Sequence, residues 1–195
     1  MSRKAIPDLE KRLLAETISR GGVSAANVDC SAKDIAEACG VSEATLFQHF
    51  KNKETLISRA IYLICEEHYQ IFSAWVKEGD TLEVFSSQVL NHFLSQPAST
   101  LFLVNYSAAT SRLVSNPETF RRYYDFILAH RDLLEPYFGE RTPEEAFLLW
   151  SSFFRRLLMD AQFVLSGLYS DVANYREMSQ KVTISGIKAF RKEGE

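Results

Sequence analysis

The sequence predicts an all-α fold. Along most of the 195 residues, apolar side chains recur at the three- and four-residue spacing that lines one face of a helix. No stretch shows sustained apolar/polar alternation closed by a hairpin turn, as a strand pair would. Gly, Pro and Ser/Thr stand where helices start and stop. About nine helices follow, grouped as an N-terminal three-helix unit ahead of a larger helical body.

The elements can be taken in order. Pro7 occupies a tolerated first helical position, Leu9, Leu13, Leu14 and Ile18 repeat at helical spacing, and Gly21-Gly22 closes the first helix. Ser31, with Asp34 three residues on, reads as a capping box in which Asp replaces the usual Glu, and opens a helix ending near Cys39. After Gly40-Val41-Ser42 comes a short helix over 43–50, then a long one over 53–77 ended by Gly79-Asp80. Further helices are expected at 81–95, 98–114 and 117–136, punctuated by Pro97, Asn116-Pro117 and Pro136. Thr142-Pro143-Glu144-Glu145 is a capped start with Pro first and acids in the first turn, opposite the positive end of the helix dipole. That helix reaches about Leu168, and a last one spans 171–191.

Composition excludes several classes. Apolar residues make up 46% and charged residues 24%, a globular balance. Residues 1–10 carry no signal-type apolar core, and no apolar run approaches the roughly 20 residues a bilayer requires, so a cytoplasmic protein without a membrane segment is expected. Cys30, Cys39 and Cys65 are odd in number and contain no CxxC pair, which predicts neither a disulfide framework nor a zinc site. No cofactor is indicated. Net charge is -3; residues 1–55 hold eight Lys/Arg and eight Asp/Glu, so any contact with nucleic acid has to come from local placement rather than bulk charge.

Residues 35–46 carry the chemistry. Ala36 lets two helices cross closely, Gly40 can adopt the left-handed turn conformation, and Ile35, Cys39, Val41 and Leu46 fill a small core between them. Ser42 is placed to cap the second helix, leaving Glu43, Ala44 and Thr45 outward, as entry into a major groove requires. The run Ile35-Ala36, Gly40-Val41-Ser42, Thr45-Leu46-Phe47, His49-Phe50 and Lys51-Asn52-Lys53-Glu54 resembles the TetR family of transcriptional regulators, over roughly residues 7–60.

That resemblance implies a helix-turn-helix DNA-binding domain at 1–52 and an effector-binding and dimerisation domain at 53–195. It places Ser31, Phe47, His49 and Lys53 at backbone-contact positions and Lys33, Glu43, Ala44, Thr45 and Gln48 within reach of base edges, with Ser42 at the cap between them. The side chains suit part of this division. Lys53 adds charge to amides oriented for phosphate, and His49 can donate to a phosphate oxygen. Gln48 can pair with adenine, Lys33 with guanine, and Ala44 can touch a thymine methyl. Phe47 stands where the family has tyrosine and lacks its phenolic donor, and the 23–30 loop is about four residues longer than the family pattern.

The body carries twelve of the fourteen phenylalanines, from Phe72 onward, with Trp75 and Trp150. Such rings fill a core or line a pocket. The resemblance implies an effector pocket for a small apolar or aromatic molecule, with His68, Phe102, Tyr106, Tyr123, Phe126, Phe147, Trp150 and Phe154 as candidates. The helix from Pro143 is apolar nearly all round, and Gly167 and Gly186 permit close approach, so the last two helices are expected to form a four-helix homodimer interface. Arg156 and Asp160 read as an ordinary intrahelical pair.

The function expected is that of a ligand-responsive repressor, binding a palindromic double-stranded operator as a homodimer. Two alternatives have different signatures. A helical protein-interaction module with weakened DNA binding would account for the neutral head and for Phe47. An enzyme would need a nucleophile and base, but Cys39 belongs to the small core and no nucleophile elbow or metal-ligand spacing is present.

Overall fold

The computed structural model describes residues 8–23, 31–76, 81–107, 117–168, 171, 173–175, 177–178, 181–182 and 185. The described residues are helical, without strands: α1 (Leu9–Gly21), α2 (Ala32–Ala38), α3 (Glu43–His49), α4 (Lys53–Ser73), α5 (Leu82–Ser95), α6 (Pro97–Ser107), α7 (Pro117–Ala129), a 3-10 turn (Arg131–Leu133), α8 (Glu135–Phe138) and α9 (Pro143–Leu165). Beyond α9, helical backbone is described at 173–175, 177–178, 181–182 and 185, within the span expected for the last helix. Pro7, the 24–30 loop with Cys30, Gly79-Asp80, residues 108–116 and Gly186 lie outside the described residues.

Two elements depart from expectation. The long helix ends at Ser73 rather than near residue 77. The helix expected over 117–136 ends at Ala129, followed by the 3-10 turn and α8. Pro136 accounts for the break: within a continuous helix its ring would clash with the Asp132 carbonyl, and it has no N–H to donate. At the start of α8 both faults vanish, because first-turn N–H groups have no intrahelical acceptor anyway.

The interior forms two clusters. The first joins Leu13, Leu14, Ile35, Ala36, Leu46 and Phe50 of the N-terminal helices to Leu56, Ala60 and Ile64 of α4 and Phe102 of α6. The second joins Phe72 of α4 to Phe85, Val89 and Phe93 of α5, Ile127 of α7 and Trp150, Phe153 and Phe154 of α9. The changeover falls within α4, about three turns past its start, so α4 belongs to both parts; α6 gives Phe102 and Leu103 to the first cluster and also packs against α5 and α9.

α6 is the close partner of α1. A Cβ added to Gly22 would lie 2.0 Å from the Ala98 carbonyl oxygen, and one on Gly21 would lie 2.7 Å from both the Phe102 and Tyr106 rings. Only glycine lets the end of α1 sit this near α6. Asn105 secures the seam, its Nδ2 donating to the carbonyls of Gly21 at 3.0 Å and Val23 at 3.1 Å.

Candidate nucleic-acid interface and effector cavity

The α2–α3 unit is built from local chemistry. Ser31 Oγ accepts from the Asp34 amide at 3.1 Å, which is the first of the two bonds of a capping box. At the other end of α2, the Gly40 amide donates to Glu37 and the Val41 amide to Ala36, both at 2.9 Å, with Gly40 at φ +69°. These paired bonds around a left-handed residue make a Schellman turn, which stops α2 and sets the angle of α3. Arg12 of α1 donates to the Cys39 carbonyl at 3.0 Å, fixing the turn to the helix behind it.

α3 is capped in its turn. The Ser42 hydroxyl accepts from the Thr45 amide at 3.2 Å and lies 2.9 Å from the Thr45 hydroxyl. Leu46 is fully buried and anchors the helix, while Glu43, Ala44, Gln48 and His49 are exposed. Thr45 and Phe47 are half-buried, the latter packed against the first core. One face of α3 is thus held from behind and the other meets solvent. Asn52 Oδ1 accepts from the Thr55 amide at 2.7 Å and its hydroxyl at 2.9 Å, starting α4 with Lys53 in its first turn. Lys33 projects from α2 and pairs with Glu37 at 3.9 Å, both well exposed.

The second candidate site is a cavity of about 350 Å3 enclosed by α4, α6, α7 and α9, with Phe93 of α5. That volume lies within the range of small-molecule sites. Five of the eight candidates line it: His68, Tyr123, Phe126, Trp150 and Phe154. Phe102 and Tyr106 do not; their rings, 4.6 Å apart, face α1, because α6 turns that side toward the two glycines. Phe147 also lies off the cavity, packed 5.0 Å from the Tyr124 ring and 6.2 Å from that of Tyr123.

Burial decides the protonation of the lining. It lowers the His68 imidazole to about 3, with His92 adding to the effect, so the ring is neutral at physiological pH. His92, whose ring meets His68 edge-on at 5.0 Å, is also lowered by burial, and its Nε2 is buried with no hydrogen-bond partner among the described residues. Burial lifts the Tyr123 phenol and the Cys65 thiol to about 12, so each keeps its proton. The neighbouring Ser151 hydroxyl lies near enough to Tyr123 to favour its ionised form slightly, yet falls short of hydrogen-bond geometry.

Several contributors went unread in the sequence. Ser58, Ile61, Cys65 and Phe72 repeat at three, four and seven residues along α4, a legible stripe facing the cavity. Asn52 ahead of Lys53-Glu54 also carried an N-cap signature. Arg12, Asn105 and Tyr175 carried none, since each acts on a partner distant in the chain. Tyr175 corrects the reading of Asp160 as half of an ordinary pair. Asp160 is buried, accepting from the Tyr175 hydroxyl at 2.9 Å as well as from Arg156 at 3.3 Å. It therefore fastens the segment after α9 to α9 itself.

Comparison with known proteins gives this geometry its context. Residues 15–60 match the family model described as bacterial regulatory proteins, tetR family. Among solved structures, the chain is similar to a candidate transcriptional regulator of Streptomyces coelicolor A3(2), at 19% identity and a TM-score of 0.63 over 93% of this chain and 98% of that one. It is also similar to a TetR family transcription regulator of Marinobacter aquaeolei VT8, at 20% identity and a TM-score of 0.59 over 93% and 96%. No curated protein sequence matches it. At these identities the structural likeness speaks for the fold, whereas the match at 15–60 speaks for the domain that holds α2 and α3. Among the described residues no helix is long and apolar enough to cross a membrane.

Proposed function

We infer from membership in the tetR family of bacterial regulatory proteins, which rests on residues 15–60, that this chain is a ligand-responsive repressor binding a palindromic operator as a homodimer. The family consists of DNA-binding regulators of transcription rather than enzymes, and such a protein works in the cytoplasm, beside the chromosome. The observation that carries the reading is α3. It is anchored by Leu46, capped at its start by Ser42 and open along Glu43, Ala44, Gln48 and His49.

In this reading Lys33, Glu43, Ala44, Thr45 and Gln48 meet base edges, while Ser31, Phe47, His49 and Lys53 hold the backbone and Ser42 caps α3 between them. The head at 1–52 reads DNA, and the body at 53–195 senses and dimerises. Support for a dimer through the last two helices comes from Met159, Leu168, Met178 and Val182, apolar side chains on those segments left exposed in the single chain. Two-fold symmetry would set the paired α3 helices about one DNA turn apart, roughly 34–36 Å, or a small multiple of it.

The effector is a small molecule with a substantial apolar part, taken up by the cavity. Two routes link it to the head. α4 lines the cavity with His68 and enters the head core with Leu56. α6 lines it with Leu103 and Val104, and through Phe102 and Asn105 grips α1. An effector preferring a different spacing of the two heads shifts the population away from the operator-bound form.

The test is selection of bound sequences from random duplexes with the purified full-length protein. An enriched palindrome is expected, with affinity falling steeply as salt rises. Lys53→Ala should weaken binding to every duplex alike and Gln48→Ala should change sequence preference. No enrichment, together with binding indifferent to salt, would overturn the reading in favour of a protein-interaction module.

A further inference from the structure

The cavity is not uniformly apolar, and its polar groups are unevenly distributed in kind. Among the described residues its lining includes one full charge, the guanidinium of Arg155, and no carboxylate. The acids nearby are engaged elsewhere. Glu66 pairs with His130 at 3.7 Å, Asp132 accepts from the Tyr69 hydroxyl at 3.1 Å, and Asp160 is taken by Tyr175 and Arg156. Arg155 is itself exposed at the rim and, among the described residues, makes no ion pair, whereas Arg156 beside it is tied to Asp160.

Ser151 lies one turn before Arg155 on α9, and both reach the cavity next to Tyr123. The Ser151 hydroxyl is buried without a hydrogen-bond partner among the described residues. Trp150, also in the lining, has its indole N–H buried without an acceptor among the described residues, and that group can only donate. Tyr123 keeps its phenolic proton. A guanidinium, a hydroxyl, a phenol and an indole N–H ask for an occupant that brings acceptors and negative charge. Most of the rest of the wall is apolar, aliphatic at Ile61, Leu103, Val104 and Leu158 and aromatic where Phe154 stacks on Phe72 at 5.6 Å and lies against Trp150 at 4.3 Å.

We propose that the occupant is an apolar organic acid, its ring or chain among Phe72, Trp150 and Phe154 and its carboxylate at the corner formed by Tyr123, Ser151 and Arg155. The proposal rests on the reading of the cavity as the effector site and adds the class of molecule. A cation would meet Arg155 with no carboxylate among the described lining residues to offset it. A neutral molecule would forgo the charge-assisted bonds, which are about twice as strong as neutral ones.

The experiment separates the two layers. Nile red, neutral and apolar, reports by its fluorescence whether the full-length protein offers an accessible cavity at all. Decanoate, decanol and decylamine then compete for it, equal in chain and different only in head group. Nile red should bind, and decanoate should displace it at about tenfold lower concentration than either other probe, a difference of ~1.4 kcal/mol. In Arg155→Gln, decanoate should fall to the level of decanol. If Nile red fails to bind, the effector-site reading fails and this proposal with it. If the dye binds but decanoate does no better than decanol or decylamine, the cavity stands and the acid does not. An advantage that survives in Arg155→Gln would remove the guanidinium as its anchor and overturn the assignment.

Discussion

Between α1 and the first half of α4 the interior is packed mostly with aliphatic side chains, Leu13, Leu14, Ile35, Ala36, Leu46 and Leu56, around the ring of Phe50, all but sealed from solvent. Between the second half of α4 and α9 it is packed with rings, Phe72, Phe85, Phe93, Phe153 and Phe154 among them, and still leaves about 350 Å3 unfilled. The contrast follows from what each part has to do. A helix that enters a groove must hold its angle, and small branched side chains interlocking at close range permit few alternatives. A part that admits a guest must keep space open, and large flat side chains can wall a space without collapsing into it.

Substitution can break this contrast, most forcefully at the seam between the two parts. Gly22→Ala sets a methyl against the Ala98 backbone carbonyl, which cannot swing aside as a side chain would. A loss of about 3 kcal/mol or more is expected, read as a lowered denaturation midpoint, because overpacking against backbone has no cheap relief. If the midpoint is unchanged, α1 and α6 are not in the contact described.

Next in size is a matched pair, Ile35→Ala in the head and Ile61→Ala on the cavity wall. Both isoleucines are buried, but Ile61 borders existing empty space and so has fewer contacts to lose. Ile35→Ala should cost about 3 kcal/mol and Ile61→Ala about half of that in urea unfolding. Equal losses would mean that the wall is packed as tightly as the head.

The body should also respond to acid through His68. Its folded pKa, about 3, lies below the ordinary value of 6.5, so at low pH the unfolded chain binds more protons than the folded one. The stabilisation linked to the neutral ring is therefore complete above about 6.5 and drains away as pH falls toward 3. From pH 7 to pH 5 the loss is about 2 kcal/mol, on the order of 1.4 kcal/mol for each pH unit below 6.5. Melting temperatures at the two values should differ by several degrees, and His68→Phe should shrink the gap. The smallest effect is at the head surface: Ser42→Ala removes a cap worth about 1 kcal/mol, and should lower operator affinity more visibly than stability because α3 begins there.

The helix-turn-helix was open to reading from residues alone because its logic is local. A capping serine, a left-handed glycine and a buried leucine act within a few positions of one another, so each leaves its mark in the nearby sequence. The punctuation of the body, from Thr81 through Pro97 to the capping box of Thr142 and Glu145, was legible on the same ground. The cavity was not. Whether an aromatic on α6 or α9 fills a core, braces the head or faces a guest depends on the rotation of helices set by contacts far apart in sequence. For that reason Phe102 and Tyr106 belong to the seam with α1, Phe126 and Phe154 to the cavity, and Asp160 to a tyrosine fifteen residues away. Short-range hydrogen bonding was written into the amino-acid order, and the direction each ring faces emerged only when the helices packed.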